Sequence, residues 1–86
     1  MLTVVFTQQA KDDLRRLDKP TAQRVLNKIR WLAENIASVT PQPLKGQWQG
    51  VYKLRVGSYR VLYTWQAQQQ QMTILFIRHR SEVYKA

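Results

Sequence analysis

The first half of the chain combines one short apolar run with two stretches of helical periodicity. Residues 2–6 are mostly apolar and β-branched, which favours a strand, and Thr7 is a suitable N-cap for a helix after it. Pro20 separates two series of apolar residues, and proline interrupts one helix but fits the first turn of the next. The spacing therefore predicts an antiparallel helical hairpin. Its apolar positions are Ala10, Leu14 and Leu17, then Ala22, Val25, Leu26, Ile29, Leu32, Ala33 and Ile36.

The second half alternates with the period of two that is typical of strands. Two such runs, over residues 51–56 and 59–65, flank Gly57 and Ser58. A two-residue loop that begins with glycine fits a type II′ turn. The sequence therefore predicts a β-hairpin at this position.

The remaining segments complete one small domain. Prolines end the helical region, and residues 44–50 are expected to form a connecting loop. A third strand is predicted over residues 72–79, after a short glutamine-rich loop, and a tail over residues 81–86. The element order is β-α-α-β-β-β, which indicates an α+β fold with the helical hairpin on one face of a mainly antiparallel sheet. Residues 1–86 are expected to form a single domain.

The proposed turn also determines which side chains share a face of the sheet. With Gly57 and Ser58 as the loop, Arg55 lies directly opposite Arg60. Like charges in this position destabilise a sheet by about 0.2–1 kcal/mol. Either these cations extend into water, or the cluster binds an anion such as phosphate. The basic face carries Lys53, Arg55 and Arg60, and the apolar face, expected to meet the helices, carries Tyr52, Leu54, Val56, Tyr59, Val61 and Tyr63.

The composition favours a polyanionic partner. Fourteen Lys and Arg against five Asp and Glu give a net charge of +9, which is typical of proteins that bind nucleic acid, an acidic protein or an anionic membrane. A basic protein that is merely soluble is the remaining interpretation. The chain has no cysteine, which excludes disulfides and thiolate chemistry. Its longest apolar run, residues 74–77, is too short to span a membrane, and early charged residues argue against a signal peptide. We therefore expect a cytoplasmic protein without membrane association.

The usual catalytic groups are scarce. His79 is the one histidine, so a paired-histidine ribonuclease site is excluded, and Glu82 is the acid nearest to the predicted strands. No metal-ligand spacing and no glycine-rich phosphate loop are present, so neither a metal nor a cofactor is expected. An enzyme of this composition has to use lysine, arginine and tyrosine. Tyr84 either stacks on an RNA base or anchors the C-terminus.

Three segments together resemble the RelE/ParE superfamily of bacterial toxins. They are residues 44–46 (LKG), 50–63 (GVYKLRVGSYRVLY) and 77–84 (IRHRSEVY), and the preceding strand and helical hairpin match in order and length. The resemblance implies a RelE-like fold and a toxin of a type II toxin–antitoxin system. RelE-like members cut mRNA in the ribosomal A site, whereas ParE-like members poison DNA gyrase on the same scaffold. Fold does not decide between these activities. Ribosome-dependent mRNA cleavage is our expectation, because many relatives, including gyrase-directed ones, have glycine where Arg78 stands. Gyrase inhibition is the alternative.

The resemblance also implies a set of site residues and partners. The RNA 2′-hydroxyl would attack the adjacent phosphate without a metal ion, giving a 2′,3′-cyclic phosphate. Lys53, whose neutral form the neighbouring cations favour, would act as general base, since Arg55 does not lose its proton. Partners would be a cognate antitoxin, the ribosome with its rRNA, and mRNA. The implied catalytic residues are Lys53, Arg55, Arg60, Arg78 and Tyr84, with Lys45 and Arg80 as further RNA contacts.

Overall fold

Helices and strands follow each other in the predicted order, with two additional short elements besides a 3₁₀ turn. The computed structural model describes residues 2–44 and 49–83. The additions are β2, which lies in a region predicted as a connection, and α3, so the prediction of a tail from residue 81 is wrong for residues 81–83. None of the helices described combines the length and apolar character needed to cross a membrane. The elements are β1 (Thr3–Phe6), α1 (Gln8–Arg16), α2 (Lys19–Asn35), a 3₁₀ turn (Ile36–Ser38), β2 (Gln42–Pro43), β3 (Tyr52–Val56), β4 (Tyr59–Gln66), β5 (Gln71–His79) and α3 (Arg80–Val83).

Side-chain caps set the start of both long helices. Thr7 Oγ1 accepts a hydrogen bond from the backbone N–H of Ala10 at 3.1 Å, and Asp18 accepts one from the backbone N–H of Thr21 at 3.2 Å. The hydroxyl of Thr21 also donates to Asp18 at 2.7 Å, and these bonds lower the pKa of the Asp18 carboxyl. Pro20 lies in the first turn of α2. The helix starts therefore follow from local sequence, as predicted.

The sheet has the strand order β1-β5-β4-β3-β2. β1 runs parallel to β5, and the other neighbouring strands are antiparallel. In the β3–β4 hairpin, Val56 is opposite Tyr59, as the sequence predicts. Gly57 has a φ of +58° and Ser58 has no positive φ, which is the pattern of a type II′ turn. The predicted register of the hairpin is confirmed.

Both long helices pack on the same face of the sheet. Residues of α1 and α2 form one apolar cluster with the inward-facing residues of β3, β4 and β5. Tyr63, a member of this cluster, is 1% exposed, and burial raises its pKa to about 12. The buried members are Ala10, Val25, Ile29, Leu32, Ala33, Val56, Val61, Tyr63, Met72, Ile74 and Ile77.

A β-bulge in β5 decides which way the end of that strand faces. The register between β4 and β5 shifts between residues 62 and 63, so Leu75 has no partner in β4. The hydroxyl of Thr7 donates to the Leu75 carbonyl at 2.6 Å. One extra residue moves every following side chain to the opposite face. Ile77 consequently joins the core. Arg78 starts from the opposite face of the sheet, and its guanidinium reaches around the open edge of β5 to Asp13 of α1.

The edge of β5 beyond β1 is closed by a side chain of α1. Within the described ranges, β1 pairs with β5 only as far as Ile74. Asp13 accepts the backbone N–H of Ile77, further along this edge, at 2.9 Å and is itself 4% exposed. A buried N–H without an acceptor costs about 1–3 kcal/mol. This bond explains why α1 buries a carboxylate.

Candidate nucleic-acid interface

Three arginines lie side by side across three strands, on the sheet face opposite α1 and α2. Arg55 of β3 is opposite Arg60 of β4, and Arg60 is opposite Arg78 of β5. Directly opposed residues of antiparallel strands point to the same side of a sheet. We call these three residues the arginine row. The hairpin turn places Arg55 beside Arg60, and the bulge at Leu75 adds Arg78.

The central residue of the arginine row is buried and has no acidic partner. Arg60 is 4% exposed, and its Nη1 donates to the carbonyl oxygens of Gly57 (3.0 Å) and Tyr59 (2.9 Å). All five acidic residues of the chain lie in the described ranges, and none of them forms an ion pair with Arg60. Strand alternation alone suggests a solvated side chain, whereas the structure buries it. A buried charge without a counter-charge is unfavourable, and the two backbone carbonyls supply only part of the compensation.

The β5 member of the arginine row is held by acids from two helices. The Arg78 Nη1 bonds to Asp13 of α1, and its Nε lies 4.0 Å from the carboxylate of Glu82 in α3. The Arg78 guanidinium also lies 5.1 Å from the centre of the Phe76 ring. Asp13 thus neutralises one end of the row. The uncompensated positive charge is concentrated at Arg55 and Arg60.

A second row, next to the arginine row, combines one lysine with two apolar side chains. Lys53, Leu62 and Phe76 are directly opposed across β3, β4 and β5. Leu62 is 1% exposed although it faces away from the helices, and Phe76 is half-buried. A partly exposed aromatic ring among cations is a surface on which a nucleobase stacks.

Sequence reasoning misses two residues of this site, Phe76 and Asp13. Phe76 is overlooked because strict alternation from Met72 places it in the core. Its signal is the apolar run of residues 74–77, which breaks the period of two and so indicates a bulge. Asp13 has a weaker signal, because one acid among the charges of α1 reads as a solvent-facing residue.

The other predicted site residues are dispersed. Arg55 is exposed and Lys53 is half-buried, and both line a groove of about 310 Å³ beside α2. Arg80 is exposed at the start of α3, and its backbone N–H donates to the Ser58 carbonyl at 2.8 Å. Lys45 and Tyr84 lie outside the described residues.

The single histidine does not belong to the basic face. His79 lies edge-on against the ring of Tyr59, with 5.5 Å between ring centres. Its Nδ1 lies 2.9 Å from the hydroxyl of Ser81. Tyr59 packs against the core, so His79 is on the side of the sheet opposite Arg78, as alternation predicts.

Comparison with known proteins identifies the family. Residues 4–84 match the family described as the ParE toxin of the type II toxin–antitoxin system parDE. The chain belongs to this toxin family. The toxin is 31% identical over 87 residues to the toxin RelG of Mycobacterium tuberculosis (strain ATCC 25618 / H37Rv), covering 96% of this chain and 95% of that protein.

Solved structures agree with this assignment. A chain in the crystal structure of the toxin–antitoxin complex RelBE2 from Mycobacterium tuberculosis matches with a TM-score of 0.82 and 30% identity, covering 92% of the toxin and 98% of that chain. The isolated E. coli RelE toxin matches with a TM-score of 0.77 and 20% identity, covering 99% of this chain and 93% of that chain. The predicted RelE-like α+β fold and membership of the RelE/ParE superfamily are confirmed.

Proposed function

We propose that the toxin cleaves mRNA in the ribosomal A site and that the arginine row binds the scissile phosphate. The observation that carries this proposal is the burial of Arg60, a cation at 4% exposure without an acidic partner in the described ranges. A phosphate over the row supplies the missing negative charge. Arginine binds phosphate through two parallel hydrogen bonds. The positive charges of Arg55 and Arg60 are not neutralised by an ion pair with any of the five acidic side chains, all of which lie in the described ranges.

The proposed reaction is an internal transfer at phosphorus. The RNA 2′ oxygen forms a bond to the adjacent phosphorus while the bond to the 5′ oxygen breaks, which gives a 2′,3′-cyclic phosphate and a 5′-hydroxyl. Lys53 serves as the general base that takes the proton of the 2′-hydroxyl, and the 5′ oxygen takes a proton from water. Arg55 and Arg60 stabilise the charge that develops on the phosphorane oxygens. Arg78, fixed by Asp13, stabilises the leaving oxygen.

The geometry of the site supports dependence on the ribosome. His79 packs against Tyr59 on the other side of the sheet. The proposed general base on the basic face is therefore the amine of Lys53 and not an imidazole. Such a site gains most from a substrate whose 2′ oxygen is already aligned with the bond that breaks. We propose that the ribosome supplies this alignment, and we expect naked RNA to be cut far more slowly than translated mRNA.

A cognate antitoxin is the second partner that we propose. The matched Mycobacterium tuberculosis chain comes from a toxin–antitoxin complex. The net charge of +9 and the uncompensated Arg55 and Arg60 favour an acidic antitoxin segment on the same face. Such a segment excludes RNA from the arginine row. The antitoxin and mRNA therefore compete for the same surface of the toxin in the cytoplasm.

Expression of the toxin without antitoxin, followed by mapping of mRNA 5′ ends, tests the proposal. We expect cuts in phase with codons in the parent toxin and at least a 100-fold loss of cleavage in Arg55→Ala, since charge stabilisation of a transition state contributes roughly this factor. Arg55 is exposed, so its replacement leaves the core intact. Arg15→Ala is the matched control, because Arg15 is an exposed arginine of α1 whose partner is Asp12.

A gyrase supercoiling assay on the same proteins separates the alternative. Toxicity that is unchanged in Arg55→Ala, together with gyrase trapped on DNA, overturns the proposal in favour of gyrase inhibition. Codon-phased cuts that disappear in Arg55→Ala but persist in Arg15→Ala support mRNA cleavage.

A further inference from the structure

A second basic surface lies beside the proposed cleavage site, between α2 and the edge of β3. Within the described ranges, β2 pairs only with Tyr52 and Lys53, so no strand covers β3 from Leu54 onward. Two adjoining hollows, of about 310 Å³ and about 510 Å³, follow this edge. Both are lined by Lys28, Trp31 and Arg55. We call this surface the α2–β3 groove.

The charge of the α2–β3 groove is of one sign. Its lining contains the cations Arg24, Lys28, Lys53 and Arg55, and none of the five acidic residues of the chain. Arg24 reaches from α2 to the hairpin turn, since its Nη1 lies 3.8 Å from the position of a Cβ on Gly57. The cations therefore come from both walls. Lys53 and Arg55 belong at once to this groove and to the proposed cleavage site.

An exposed indole stands between these cations. Trp31 is 44% exposed, and Lys28 Nζ lies 4.1 Å from its ring centre. The cation holds the ring in place while much of the ring surface is still accessible. An exposed aromatic ring flanked by cations binds single-stranded nucleic acid, because bases stack on the ring and cations hold the phosphates.

The backbone of the β3 edge disfavours a peptide strand as the occupant. The residues that flank a two-residue hairpin loop bond to each other, so Val56 is directed toward Tyr59. In the antiparallel pattern the next residue, Arg55, then presents its N–H and C=O outward. β3 ends at Val56, so the open edge offers the backbone groups of one residue. An added peptide strand needs backbone hydrogen bonds to several residues, and this edge offers only one. A polyanion needs cations on both walls, which the groove provides.

We propose that the α2–β3 groove binds the single-stranded RNA that continues from the scissile phosphate. Arg24 and Lys28 contact successive phosphates, a base stacks on Trp31, and Arg55 joins the groove to the arginine row. The inference rests on the proposed function for the direction of the RNA. It makes α2 a part of the substrate-binding surface, which the cleavage chemistry by itself does not require.

Equilibrium binding of a short single-stranded RNA with 2′-O-methyl sugars tests this inference, since the probe lacks the attacking hydroxyl. Each cation that contacts a phosphate contributes about 0.7 to the slope of log affinity against log salt. The double variant Arg24→Ala/Lys28→Ala should therefore lower this slope by about 1.4 and the affinity at low salt roughly tenfold or more. The variant Lys11→Ala/Arg15→Ala removes the same charge from exposed positions of α1 and should keep the parent slope within about 0.3.

Variants of Trp31 separate stacking from charge. Trp31→Ala should weaken binding about fivefold or more at every salt concentration, with an unchanged slope, whereas Trp31→Tyr retains a stacking ring and most of the affinity. Thermal unfolding of each variant identifies any loss of folded protein, and binding is compared at a temperature where all are folded.

Three results overturn the inference. The first is equal binding by the α2 and α1 double variants. The second is equal affinity of Trp31→Ala and Trp31→Tyr. The third is normal RNA binding by the groove variants with weakened binding of an acidic antitoxin peptide, which makes the groove a protein-binding surface. The proposed function is tested separately, by cleavage of translated mRNA. If the parent toxin cuts no translated mRNA, the proposed function fails, whereas the oligonucleotide binding experiment still tests the groove.

Discussion

Asp13 of α1 holds Arg78 of β5 while it caps the backbone of the same strand. One carboxylate bonds to the Arg78 guanidinium and accepts the backbone N–H of Ile77 at 2.9 Å. Gln9 also donates to Asp13, at 2.9 Å. The first helix therefore controls the position of a proposed site residue far away in sequence.

Loss of Asp13 should destabilise the toxin. Asp13→Ala leaves a buried N–H and a partly buried guanidinium without their acceptor, and we expect a fall in the free energy of unfolding of about 2–4 kcal/mol. Asp13→Asn keeps an acceptor for the N–H and should lose about half of that. Urea unfolding measures both, with Asp12→Ala, a half-exposed neighbour, as the control that changes stability by about 0.5 kcal/mol or less. Equal stability of Asp13→Ala and Asp12→Ala contradicts the assigned role.

Arg60 should matter more for RNA than for folding. Its burial without an acid is costly, so Arg60→Met, which keeps much of the volume, should change the free energy of unfolding by about 1 kcal/mol or less. The same variant should lose at least about 100-fold in mRNA cleavage. Chemical denaturation and 5′-end mapping measure the two effects. If the loss of mRNA cleavage in Arg60→Met is explained by an equally large loss of folded protein, Arg60 has a structural role instead.

Gly57 should be required for its backbone conformation. With a φ of +58°, an alanine at this position is strained, and Gly57→Ala should destabilise the toxin by about 1–2 kcal/mol. Steric contact is not the cause, since the nearest atom to an added Cβ lies at 3.8 Å. Ser58→Ala, the neighbouring turn position without a positive φ, should have little effect in the same thermal unfolding experiment. Similar losses for both variants contradict a conformational origin.

Stability should depend on Tyr63 at alkaline pH. Burial raises the pKa of Tyr63 to about 12 from an ordinary value of 10.0, so the folded state keeps a proton that the unfolded state loses. The contribution of Tyr63 to stability is therefore complete below pH 10 and is lost as the pH rises from about 10 to 12. Tyr63→Phe has no such proton, and its unfolding free energy should fall less steeply over this range. Parallel pH profiles of the two proteins exclude this effect.

Local sequence determined most of the fold. The apolar spacings gave the helices, Thr7 and Asp18 set their starts through caps that act within one turn, and the glycine-first loop fixed the hairpin register. That register placed Arg55 opposite Arg60, because a two-residue loop leaves one pairing and the apolar residues leave one face to bury. The proposed roles of Lys45 and Tyr84, which lie outside the described residues, stay predictions.

Tertiary structure decided how the site is assembled. Strict alternation from Met72 predicts that Arg78 starts on the helix side of the sheet. The extra residue Leu75 places it on the opposite face. The burial of Arg60 in the middle of a three-strand row does not follow from alternation. That none of the five Asp and Glu side chains, all within the described ranges, pairs with it depends on where the tertiary structure puts those side chains. Asp13 reached Arg78 because β1 ends early and leaves an edge that α1 fills. Sequence periodicity records local repeats, whereas these features depend on packing between segments that are distant in the chain.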